Sequence, residues 1–259
     1  MFFEETQGTA LFKQYIWASG NSGFALTGVG RNPQEYPTVS IENGIDGSRA
    51  IKLETKSTGQ FGETVKMPIA AGNLFLGSFD VNNAVQKPLK ATLFGLPFGK
   101  KPLKFKGYYK YVPGTQSFKA KDKNGNTVTI SRQEDEGDIY AVLYEAAGLD
   151  GKVLDGNNVL TSKNIVALAR VEVEKTDRYI EFETSFQYGE RKEISWPQFI
   201  YRDPSDDGTG KYLRFSEEKM KNYEYNLAVV FTSSKYGAYF AGSVGSTLCI
   251  DKVEIVCEK

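Results

Sequence analysis

Hydrophobic residues along the chain fall in short runs broken by clusters of Gly, Asn, Asp and Pro. No stretch sustains a 3.6-residue apolar period long enough for a principal helix. The pattern predicts strands at 50–55, 74–81, 91–96, 103–112, 127–131, 139–144, 166–173, 179–187, 225–232 and 247–256. Many strands and no crossover helices imply an all-β, antiparallel sandwich of two packed sheets. Lys123-Asn124-Gly125-Asn126 marks a tight turn, because Asn-Gly supplies positive φ, so 115–132 reads as a protruding hairpin. The run 203–211, D-P-S-D-D-G-T-G-K, reads as a solvated acidic loop, and its spacing is not that of an EF-hand. Ser216 before Glu217 and Glu218 reads as the start of one helical turn. No linker or repeat divides the chain, so 1–259 is expected to form a single domain.

Strand alternation assigns faces. In 103–112, Leu103, Phe105, Tyr109 and Tyr111 share one face, and Lys104, Lys106, Tyr108 and Lys110 share the other. A Tyr among lysines suits a sugar: the ring stacks on pyranose C–H groups and ammonium groups donate to hydroxyls. The competing reading is a Tyr that merely screens the sheet. In 139–145, Ile139, Ala141, Leu143 and Glu145 alternate with Tyr140, Val142 and Tyr144, so both faces are apolar and the strand is expected to be central. Glu145, at its end, either enters a pocket or meets water. In the last strand Cys249, Asp251, Val253 and Ile255 share a face unless a bulge at Asp251-Lys252 resets the phase. Asp251 then needs a partner, either ordinary hydrogen bonds or a structural calcium, the one cofactor the residues suggest. Tyr15, Trp17 and Asn21 mix rings with small polar residues, as a shallow site or an aromatic lid would. Trp196, next to Pro197, reads as a core plug.

Composition narrows the chemistry. Lys plus Arg and Asp plus Glu both total 32, so nothing marks a nucleic-acid or anionic-membrane surface. With no His, triads built on imidazole and His-zinc sites are excluded, which leaves carboxylates, Tyr, Lys or Arg for any catalysis. Cys249 and Cys257 would lie roughly 26 Å apart on one strand at about 3.3 Å per residue, so they read as two thiols. No apolar run approaches the length of a membrane-spanning helix, and Met1-Phe2-Phe3 is not a signal peptide. If the chain is exported, its signal has been removed.

Several runs carry a resemblance. They are M-P-I-A-A-G-N-L-F-L-G at 67–77, L-K-F-K-G-Y-Y-K-Y-V-P-G at 103–114, D-I-Y-A-V-L-Y-E at 138–145 and G-S-V-G-S-T-L-C-I-D at 242–251. V-L-T-S-K-N-I-V-A-L-A at 159–169 and V-V-F-T-S-S-K-Y-G at 229–237 continue it. Together they resemble the putative carbohydrate metabolism domain of Bacteroidetes, across nearly the whole chain. The resemblance implies a β-jelly roll like those of carbohydrate-binding modules and jelly-roll glycoside hydrolases, with a sugar pocket. It also implies an exported protein, periplasmic, outer-membrane-anchored or at the cell surface, often a lipoprotein. Thr232 and Tyr201-Arg202 depart from the expected pattern.

Three functions follow as expectations. The first is binding of an oligo- or polysaccharide by rings at Trp17, Tyr108, Tyr109 or Tyr144, with Asn21, Asn73 and Glu145 bonding hydroxyls. The second is a glycoside hydrolase with Glu145 and Asp80 as its carboxylates, which would have to stand about 5–9.5 Å apart. The third is an aromatic surface that contacts another envelope protein of a glycan-uptake assembly.

Overall fold

The computed structural model describes residues 4, 5, 14, 15, 17–149, 151, 153–205 and 207–259. Eight principal strands build it: β1 (Ala50–Glu54), β2 (Asn73–Phe79), β3 (Pro102–Val112), β4 (Asp138–Glu145), β5 (Ile165–Val171), β6 (Thr176–Ser185), β7 (Tyr225–Thr232) and β8 (Thr247–Cys257). One sheet has the order β6-β3-β8-β1, with Thr38–Ile41 on its outer edge. The other has β2-β7-β4-β5, extended beyond β2 by Thr92–Phe94 and Leu154–Asp155. All pairings between these strands are antiparallel. The orders 1-8-3-6 and 2-7-4-5 are those of two interlocked Greek keys, a jelly roll.

Every strand predicted from alternation is present, within a few residues at the ends. The 115–132 hairpin pairs Lys119–Lys121 with Thr127–Thr129. Asp122 closes its turn by accepting from the Asn124 and Asn126 N–H groups, and Gly125 takes φ 76°. The helical turn foreseen at Ser216 is α1 (Glu217–Lys221), whose Lys219 N–H donates to the Ser216 hydroxyl.

The core lies between the sheets. Phe105, Tyr109, Tyr111, Leu53, Leu248 and Ile250 face Ile139, Ala141, Leu143, Leu227, Val229 and Phe231. Phe105 joins the layers, with its ring 5.1 Å from Phe182 edge-on and 5.9 Å from Phe231. Burying one such ring stabilises by roughly 1.5–3 kcal/mol. Leu103, expected inward, is exposed instead, because the β3–β8 register slips between Pro102 and Lys104. The second sheet also buries its outer face, where Phe75, Phe94, Tyr140, Val142, Tyr144 and Val230 pack under loops. That explains why β4 reads as apolar on both sides.

Asp135 fastens one end of the sandwich. It accepts from the Ser234 and Ser246 hydroxyls at 2.6 and 2.7 Å, the Ser243 N–H at 2.8 Å and the Glu136 N–H at 2.9 Å. Burial outweighs these donors and pushes its carboxyl up to about 6. Nearby, Asp138 at 3% exposure takes two guanidinium N–H groups of Arg170 in a bidentate pair at 2.9 and 2.6 Å.

Candidate functional site

Two concavities flank the short ladder formed by β2, Thr92–Phe94 and Leu154–Asp155. Asp155 stands opposite Leu93, and Leu93 opposite Ser78. Strand alternation therefore sends Ser78, Leu93 and Asp155 to one face, while Phe79, Thr92, Phe94 and Leu154 take the other. The first set lines a cleft of about 1090 Å³, and the second set, apart from Leu154, lines an apolar groove of about 200 Å³. Asn157, in the turn that follows Asp155, lines both.

The cleft is polar. Asp80, Asn83, Asp155, Asn157, Asn158 and Asn164 line it, with Lys90 and Lys163 at its walls. Asp80 caps a short helical turn by accepting from the Asn82 N–H and the Asn83 side-chain amide. Asp155 takes the Asn157 N–H and amide on Oδ1, and its Oδ2 has no donor among the described residues. Lys90 and Lys163 make no ion pair among the described residues, so their ammonium groups remain for a ligand. Two ladder steps across and two residues along, Asp80 and Asp155 sit on backbones roughly 12 Å apart.

At the mouth stands Tyr223, with 65% of its surface exposed. It follows α1 in a Schellman turn, in which the Tyr223 N–H donates to the Met220 carbonyl and the Glu224 N–H to the Lys219 carbonyl, both at 3.0 Å. Tyr223 fills the left-handed position of that turn at φ 56°, where Gly or Asn would be unstrained. Its ring leans on Gly99, where even a Cβ would come within 2.6 Å of it.

Most residues nominated from sequence stand elsewhere. Tyr109 and Tyr144 are corrected outright, at 2% and 0% exposure. The Tyr109 hydroxyl accepts from the Glu174 N–H. The Tyr144 hydroxyl donates to the Phe94 carbonyl and accepts from the Asn226 amide. Neither ring has a face for a sugar. Trp17 packs on the inter-sheet core, 6.2 Å from Phe231, and is not a loop platform. The side chain of Tyr15 lies outside the described residues. The Asn21 amide bonds both backbone groups of Thr38, and Asn73 accepts from the Gly20 N–H, so both amides tie the early chain to the sheets.

Tyr108 does face outward, but on a flat sheet whose lysines are committed: Lys104 to Glu183, Lys106 to Glu254, and Lys110 over the Tyr179 ring. Glu145 pairs with Lys219 at 2.6 Å and does not line the cleft that Asp80 lines, so the two are not brought together as a catalytic pair. Asp251 is also corrected as a metal ligand. The bulge anticipated at Asp251-Lys252 is present, with Lys252 at φ 47°. It lets Leu248 and Ile250 before it, and Val253 and Ile255 after it, all face the core. Asp251 turns instead to the 44–48 loop and accepts from the Ile45 N–H, the Ser48 hydroxyl and the Lys252 N–H. Among the described residues no group of three His, Cys, Asp or Glu is placed to hold a metal ion. Cys249 and Cys257 are free thiols, raised by burial. Trp196 packs between Tyr236 and Tyr239, with Arg202 over its ring, as a plug would.

Sequence reasoning missed Tyr223 and the amides of 157–164. The density of Asn in D-G-N-N-V-L-T-S-K-N was the available signal, since no core requires so many amides in one turn.

The chain belongs to the family described as "Putative carbohydrate metabolism domain", which matches residues 1–256. It is similar over its full length to 70% of a Bacteroides thetaiotaomicron protein described as a putative glycoside hydrolase, at 41% identity and a TM-score of 0.79. A Bacteroides vulgatus protein of the same description shares 37% identity over 97% of this chain and 89% of its own, with a TM-score of 0.74. No protein of curated function matches the chain. No helix among the described residues is long and apolar enough to cross a membrane.

Proposed function

We propose that the protein binds an oligo- or polysaccharide in the cleft beneath Tyr223, as a component of an exported glycan-utilisation system. The observation that carries this reading is Tyr223 itself, a large ring held in a strained turn and left exposed over amides, lysines and carboxylates. Strain that folding does not need points to a use for the ring. Pyranose C–H groups would stack on it while Asn83, Asn157, Lys90 and Lys163 bond hydroxyls. The concave, hydrogen-bonding shape suits a sugar better than a protein partner, which would favour a flat apolar patch. Family membership supports a carbohydrate ligand, and the exported setting is the one the resemblance implies. A glycan array with Tyr223→Ala beside the wild-type chain tests it. Hits lost in the variant support the reading, and an array without hits would sink it.

A second reading is hydrolysis, favoured by Asp80 and Asp155, which line the same cleft. It requires reducing sugar released from a bound glycan and abolished by Asp80→Asn or Asp155→Asn. Binding without product leaves the first reading alone.

A further inference from the structure

The groove on the outer face of the second sheet has a different chemistry from the cleft. Phe75, Phe79, Phe94, Trp196 and Tyr239 line it, and its volume of about 200 Å³ exceeds the roughly 150 Å³ in which an apolar cavity takes up benzene. Its charged groups are already neutralised. Both oxygens of Asp138 are held by Arg170, and Lys235 is paired to Glu136 at 2.5 Å. The Asn73 amide is tied to Gly20 and Ala71.

Two hydroxyls are left over. Tyr140 is 5% exposed and lines the groove, yet its hydroxyl makes no hydrogen bond to any described residue. It is not among the polar atoms sealed from solvent without a partner, so it opens on the groove rather than into packed protein. The Thr92 hydroxyl, on the same wall, likewise makes no hydrogen bond to any described residue. A buried phenol without a partner loses roughly 1–3 kcal/mol relative to a satisfied one. A stable water needs two to four polar partners, and the surface of this groove is mostly apolar.

We propose that the groove is a second ligand site, for a neutral aromatic group that carries a hydrogen-bond acceptor, such as the ester of an aromatic acid. The aromatic ring fills the apolar volume, and the acceptor oxygen takes the hydrogens of Tyr140 and Thr92. Because Asn157 lines both concavities, such a group would reach the groove as a substituent of the glycan in the cleft. That last step rests on the function proposed above, whereas the site itself does not.

Calorimetric titration with methyl benzoate tests the site, with ethylbenzene as the matched ligand that lacks an acceptor. Saturable binding of the ester is expected, weakened roughly five- to tenfold by Tyr140→Phe, the factor a lost neutral hydrogen bond commonly carries. Ethylbenzene should bind Tyr140→Phe as it binds the wild-type chain. Tyr140→Phe keeps the buried ring and removes only an unpaired hydroxyl, so a melting temperature no lower than that of the wild-type chain confirms that the comparison is fair. Tyr223→Gly, which should weaken glycan binding, should leave the ester affinity unchanged. Ester binding without any glycan hit would remove the function above and keep this site. No saturable ester binding, or equal affinity in Tyr140→Phe, would overturn it.

Discussion

Replacing Tyr223 with Gly should make the protein more stable while weakening the glycan binding proposed for it. A side chain with a Cβ in the left-handed position costs about 1–2 kcal/mol, and Tyr223 sits there at φ 56°. Glycine relieves that strain but surrenders about 0.5–1 kcal/mol through the greater freedom of the unfolded chain. Little packing is lost, since the ring is 65% exposed. The balance is a gain of about 0.5–1 kcal/mol, or roughly 2–3 °C in Tm for a chain of this size. Tyr223→Ala keeps the strain and loses the ring, so it should lie about 1 kcal/mol below the glycine variant. Urea denaturation of the three proteins at pH 7, analysed by linear extrapolation, resolves that gap. If alanine is as stable as glycine, the turn is not strained, and the argument that Tyr223 is kept there for function falls with it.

Asp135 should make stability fall as pH rises. The folded state keeps its proton up to about 6 and the unfolded chain releases it near 3.8, so about 3 kcal/mol present below pH 4 is lost by pH 7. The difference in unfolding free energy between wild type and Asp135→Asn should change by that amount over this window, and a flat difference would contradict it. Asp138→Asn should cost about 3–5 kcal/mol in urea denaturation, because it strands the half-buried Arg170 guanidinium. Tyr144→Phe should lose about 1–3 kcal/mol in urea denaturation, because the buried Phe94 carbonyl loses its donor, and an unchanged stability would contradict it.

The strands and the central place of β4 were legible because alternation and two-sided apolarity are local properties of the chain. The jelly-roll order rested on the family resemblance, since pairing between distant strands leaves no local trace. The site was harder for the same reason. Alternation already set Tyr109 beside Phe105 and Tyr111 and opposite Tyr108, so its burial was legible, and its nomination as a stacking ring ran against that pattern. Tyr144 reads as an outward ring because alternation cannot tell that loops cover the outer face of its sheet. Asp251 was readable to the extent that the bulge was foreseen, but its donors come from residues some two hundred positions earlier. Tyr223 escaped notice because exposure at a helix end depends on a backbone angle that the sequence K-N-Y-E-Y does not announce.

The central claim is that a glycan lies in the cleft under Tyr223 and not on the flat lysine-bearing sheet around Tyr108. Affinity for the best glycan of an array, measured by calorimetry for Tyr223→Ala and Tyr108→Ala side by side, tests it most directly. The account predicts a loss of roughly five- to twelvefold for Tyr223→Ala, as a stacking contribution of about 1–1.5 kcal/mol implies, with Tyr108→Ala unchanged. Loss in Tyr108→Ala with full affinity in Tyr223→Ala would contradict it.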